Sequence, residues 1–154
     1  MPVARRLEDL VMWVLACELR DGVSTAVAQG SARNDWDFRG QIERSSRSIA
    51  ANIAEGYGHF KPRQFAKYLR IARASAMETR NHVIEGRAKH FSPEDSARLL
   101  RLCRRIISGT ASLILYLDSC DSNLDLRAQI EGGSDAVHTI PDPDPPEPSE
   151  PLNL

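Results

Sequence analysis

No stretch of about 18 consecutive apolar residues occurs in this chain, so no segment is expected to cross a membrane as a helix. Cysteine is scarce, and Cys17, Cys103 and Cys120 stand far apart, which excludes a disulfide framework and a zinc site of short ligand spacing. Cys17 and Cys103 read instead as small buried apolar residues, in keeping with a reducing cytoplasm. There is no glycine-rich phosphate loop, no nucleophile elbow and no Cys/His pair at metal spacing, so neither catalysis nor a metal or other cofactor is expected. The nearest thing to a targeting segment is Arg5-Arg6 followed by the apolar run Leu10 to Cys17. Glu8 and Asp9 interrupt its approach, and a helix is the better reading.

What is present is enough for one domain with a proper core: 154 residues, 42% apolar and 27% charged. The organising stretch is Gln41 to Gly58, where Ile42, Ser46, Ile49, Ile53 and Gly56 fall on one side of a helix, together with Phe38 just before it. Ala50, Ala51 and Ala54 leave its other side small and nearly uncharged, and this side is expected to meet another subunit. Periodicity predicts a first helix from Leu7 to about Ala28 on Leu7, Leu10, Val11, Val14, Leu15, Val23 and Val27, with Trp13 partly covered at its edge. The second runs from Trp36 to Tyr57, capped by Asp35 or Asp37 and ended by positive backbone angles at Gly56 and Gly58. Lys61-Pro62 opens the third, which lasts to Gly86. Ser92-Pro93-Glu94-Asp95 starts the fourth, which extends to about Leu117. Four helices with short connections predict an all-α, antiparallel up-down-up-down four-helix bundle over residues 1–120. Residues 121–154, acidic and proline-rich, are expected to form a disordered tail.

Two linked motifs carry a resemblance: Ser48-Ile49-x-x-Asn52-Ile53-Ala54-Glu55-Gly56-x-Gly58, and Leu69-x-Ile71-Ala72-x-x-Ser75-x-x-Glu78. In their order and separation they resemble the bacterial four helix bundle family. That family includes proteins encoded in intervening sequences of large-subunit ribosomal RNA genes and the accessory variability determinants of diversity-generating retroelements. The likeness extends from Leu7 to about Leu117. It implies a four-helix protomer, assembly into a homopentamer and no enzymatic activity. In the retroelement branch it implies nucleic-acid binding and a reverse transcriptase as partner.

Ser48, Asn52, Glu55, Gly56, Ser75 and Glu78 are read as structural, fixing helix register by hydrogen bonds. A di-metal carboxylate bundle needs Glu-x-x-His on two helices, whereas Glu55 with His59 and Glu78 with His82 are spaced by four. His59 and His90, beside glycines or at a helix end, are expected to be solvated.

The functional signal lies in the charge. Residues 1–120 hold 19 Lys+Arg against 13 Asp+Glu, a balance of +6, while residues 121–154 hold one Arg against 8 acids, a balance of −7. Of the 20 basic residues 17 are arginine, whose planar fork suits phosphate. Arg63, Lys67 and Arg70 point away from the third helix's core stripe, and Arg73, Arg80 and Arg87 follow one flank at heptad spacing. Arg98, Arg101, Arg104 and Arg105 add an outer face on the fourth helix. Repeated around an oligomer, this surface is expected to bind RNA or DNA. The sequence therefore reads as a non-enzymatic nucleic-acid-binding or reverse-transcriptase accessory protein, with a protein-only interaction scaffold as the alternative.

Overall fold

A computed structural model of the chain describes residues 6–59 and 61–132, with side chains as far as residue 120. The regular structure within these residues is four α-helices, α1 (Val11–Val27), α2 (Trp36–Gly58), α3 (Pro62–Gly86) and α4 (Pro93–Gly132), with two short 3₁₀ turns and no strand. Helix α1 packs against α2 and α4, and α3 against the same two, so consecutive helices are neighbours and run antiparallel. The core between them is aliphatic. Leu19, Ile42, Ile49, Ile53, Leu69, Leu99 and Ile106 are fully buried, and each such side chain contributes roughly 1.5 to 3 kcal/mol of transfer free energy.

Local chemistry sets the helix ends. Asp35 accepts a hydrogen bond from the Phe38 amide at 3.1 Å and caps α2. Ser92 accepts one from the Asp95 amide at 3.0 Å and donates to the Asp95 carboxylate at 2.9 Å, a reciprocal cap at the start of α4. Pro62 and Pro93 are the first residues of their helices, where a missing N–H costs nothing.

Three features depart from the sequence-based expectation. Leu7–Asp9 is a 3₁₀ turn, and Leu10 is extended (φ −80°, ψ 108°), so α1 begins only at Val11. Val11 and Val14 consequently lie exposed, while Ala16, Leu19, Gly22 and Ala26 join Leu15, Val23 and Val27 in the buried stripe. Gly56 does not terminate α2 through a positive φ, since it lies within the helix and only Gly30 (φ 63°) has such an angle among the described residues. A Cβ at Gly56 would stand 2.6 Å from Tyr68 Cβ and 2.9 Å from Phe65 Cδ2, so this glycine is needed for the close approach of α2 and α3. Finally, α4 passes both its expected end near Leu117 and the boundary expected at residue 120, reaching Gly132. Between Gly109 and Gly132 the sequence holds neither glycine nor proline, and nothing local stops the helix. The rest of the expected tail, 133–154, lies outside the described residues.

Candidate nucleic-acid interface

Helix α3 presents two chemically different flanks. Toward α2 it turns a line of small polar residues. Thr79 Oγ1 lies 2.9 Å from Ser45 Oγ, and Ser75 Oγ lies 2.9 Å from Ser48 Oγ. The Asn52 amide donates to Ser48 Oγ at 3.0 Å and to the Ser48 carbonyl at 2.8 Å. Tyr68 donates to Glu55 at 2.8 Å, and this hydrogen bond raises the tyrosine's pKa. Short hydroxyl side chains let the two backbones come close, and their mutual bonds satisfy groups that the contact removes from water. The motif residues Ser48, Asn52, Glu55, Gly56 and Ser75 thus lie together along the α2–α3 seam. Glu78 stands at its margin, 3.7 Å from His82 Nε2.

Toward α4 the same helix turns arginine. Arg70 pairs with Asp118 at 2.6 Å. Further along, the Arg80 charge acts on the Cys103 thiol, whose pKa burial nevertheless pushes up to about 12. Arg73, Arg80 and Arg87 follow one another along this flank at steps of seven residues, about 10 Å of helix each. Glu78 and Glu85 do not interrupt them. Both carboxylates lie beside His82, 3.7 Å from its two ring nitrogens, on the side that meets Phe38 of α2.

The basic residues therefore divide into bound and free groups. Arg70 is held by Asp118, and Arg98 is half-buried, 3.5 Å from Asp95, beside the backbone of Gly22. Arg63, Lys67, Arg73, Arg80, Arg87, Arg101, Arg104 and Arg105 are all exposed. Among the described residues none of these eight has a carboxylate within 4 Å. Arg104 stands fourteen residues, about four turns, before Asp118, and so faces α3 as Asp118 does. Apart from Arg70, the α3–α4 side carries guanidinium groups that have no carboxylate partner among the described residues and are able to bind phosphate bidentately.

On α2 the expected subunit face needs correction. Ala50 is 6% exposed and belongs to the protomer's own core, because it lies one residue from Ile49 on the buried arc of the helix. It therefore does not belong to that face. Ala51 is exposed and Ala54 half-buried.

One cluster escaped the sequence reading. His90, expected to be solvated, stacks on Phe38 with ring centroids 4.4 Å apart, and its Nε2 lies 3.4 Å from Asp35. Its Nδ1 lies 3.1 Å from Ser31 Oγ, which also donates to the Lys89 carbonyl. The imidazole thereby ties the loop before α2 to the loop after α3. His82 is buried beside it, and the two line a polar cavity of about 180 Å³ together with Asp37, Gln41 and Glu85. The signal for His82 was available, since it continues the buried series Ser75, Thr79, His82, Gly86 at helical spacing. No group of three or more His, Cys, Asp or Glu side chains among the described residues is arranged to hold a metal ion. None of the described helices is long and apolar enough to cross a membrane.

Comparison with known proteins adds two likenesses. Residues 8–111 match the 23S rRNA-intervening sequence protein family. Among solved structures, a protein of unknown function from the S23 ribosomal protein family of Bacteroides thetaiotaomicron is similar over 68% of this chain and 98% of its own, with a TM-score of 0.60 and 23% identity. At that identity the similarity bears on the fold alone. No curated protein matches.

Proposed function

This chain belongs to the 23S rRNA-intervening sequence protein family, and from that premise we propose that it is a non-enzymatic, homo-oligomeric nucleic-acid-binding protein of the cytoplasm. The observation that carries the reading is the segregation of charge on α3. Its acids gather toward α2, and Arg73, Arg80 and Arg87 stand exposed toward α4 with no carboxylate within 4 Å among the described residues. Repeating this surface in a pentamer through the Ala51 and Ala54 side of α2 would multiply the phosphate contacts, and with them the counterions released on binding. In its finer form the reading gives the protein RNA or DNA as ligand and a reverse transcriptase as partner.

A protein-only scaffold is the second reading, favoured by the exposed Met77, Ile84, Leu115 and Tyr116 near or on the same side. Purification followed by light scattering and the ultraviolet absorbance ratio separates the two. A mass of about five protomers with co-purifying nucleic acid supports the first. An oligomer free of nucleic acid that also fails to bind it at low salt supports the second.

A further inference from the structure

We propose that residues 133–154 of the chain dock on its own basic α3–α4 face, making that face a self-occupied site. The face is not purely ionic. Between Arg73, Arg80 and Arg87 lie Met77, 46% exposed, and Ile84, 41% exposed, while Leu115 on α4 is 72% exposed three residues before Asp118. A ligand that fits must bring spaced negative charges with apolar side chains among them.

The segment 133–154 has that composition. It carries Asp135, Asp142, Asp144, Glu147 and Glu150 with no lysine or arginine, and intersperses Val137, Ile140, Leu152 and Leu154. It also holds six of the chain's nine prolines, which fix φ and so reduce the conformational entropy lost on docking. Its reach is sufficient. From Gly132, where α4 ends, back to Arg104 is 28 residues of helix, about 42 Å. Twenty-two residues in polyproline-like extension span about 68 Å. Tethering places the acids at an effective concentration in the millimolar range, so even a weak ionic contact is populated. Docking does not depend on nucleic-acid binding. Where both hold, the segment competes with phosphate for the same guanidinium groups.

The test is an arginine footprint on the full-length protein, stripped of nucleic acid, using phenylglyoxal and mass spectrometry. The wild type is compared with a variant in which Asp135, Asp142 and Asp144 become Asn and Glu147 and Glu150 become Gln. Arg44, exposed on α2, is the internal control. In wild type at low salt Arg73, Arg80, Arg87 and Arg104 should react at least about threefold more slowly relative to Arg44 than in the neutral variant, as expected for a site mostly occupied. Roughly 1 M salt should remove the difference. Equal relative reactivity in the two proteins overturns the proposal: if both are protected, another occupant such as a second copy covers the face, and if both react freely, the face is open.

Discussion

Gly56 and Cys103 show how single atoms constrain this protein. A methyl group at Gly56 would meet Tyr68 Cβ and Phe65 on a helix that is itself packed, so relief requires backbone movement. Gly56→Ala is therefore expected to cost roughly 1 to 3 kcal/mol in chemical denaturation. Gly58→Ala, with nothing within 4 Å of the added carbon, should change stability by under about 0.5 kcal/mol. Equal costs at the two positions would show that the α2–α3 seam is not a close contact. For Cys103 the sign follows from its neutral form being favoured by burial. The thiol's pKa rises from 9.0 to about 12 on folding, so the unfolded chain holds fewer protons than the native one between those values. Stability should therefore be complete below pH 9 and fall above it, by at most about 1.4 kcal/mol per pH unit. Cys103→Ala should be less stable at neutral pH yet show a shallower alkaline decline, measured by denaturant titration. Identical slopes would mean that the thiol is not protected. The buried side of α2 was legible from spacing because large aliphatics mark it. The histidine cluster was not, because the contact of His90 with Phe38 spans 52 positions and only the folded loops bring them together.

Helix α2 has different neighbours on its different sides, and substitutions one residue apart should separate them. Ala50→Leu places a large side chain in the protomer's core and should lower the melting temperature, as overpacking typically costs 1 to 3 kcal/mol. Ala51→Leu adds its bulk where the protomer is open, so the melting of the fold should stay within about 0.5 kcal/mol of wild type. If this side is the subunit contact, Ala51→Leu should reduce the mass seen by light scattering. Unchanged mass would remove Ala51 from the interface. Helical periodicity located the elements of the bundle, and residue chemistry explains the good boundaries: Asp35, Pro62 and Ser92-Pro93 are signals of local origin. The two poor boundaries have local causes as well. The extended backbone at Leu10 follows a 3₁₀ turn that a 3.6-residue period cannot distinguish from helix, and the apolar period fades after Leu117 although no breaker stands before Gly132 to end the helix.

The whole molecule combines a seam of small residues, which brings α2 and α3 together, with an arginine surface that the same packing turns outward on the side of α4. Composition revealed the excess of arginine. The structure adds its partition, placing Arg70 and Arg98 in ion pairs and leaving eight other cations of the two helices without carboxylates among the described residues. Sequence could not make this distinction, because the pairing of Arg70 with Asp118 depends on the antiparallel register of α3 against α4. The most direct measurement is the salt dependence of binding to a labelled single-stranded RNA, followed by fluorescence anisotropy for wild type, for the neutral 133–154 variant and for the triple variant Arg73→Gln, Arg80→Gln, Arg87→Gln. Wild type should bind, the neutral variant more tightly, and the triple variant more weakly with its helix content intact. The slope of log K against log salt should be shallower by about 2 in the triple variant, at roughly 0.7 per lost phosphate contact. A triple variant that binds with unchanged affinity and slope, or a neutral 133–154 variant that is folded, oligomeric and does not bind even at low salt, would contradict the reading of this face as a polyanion site.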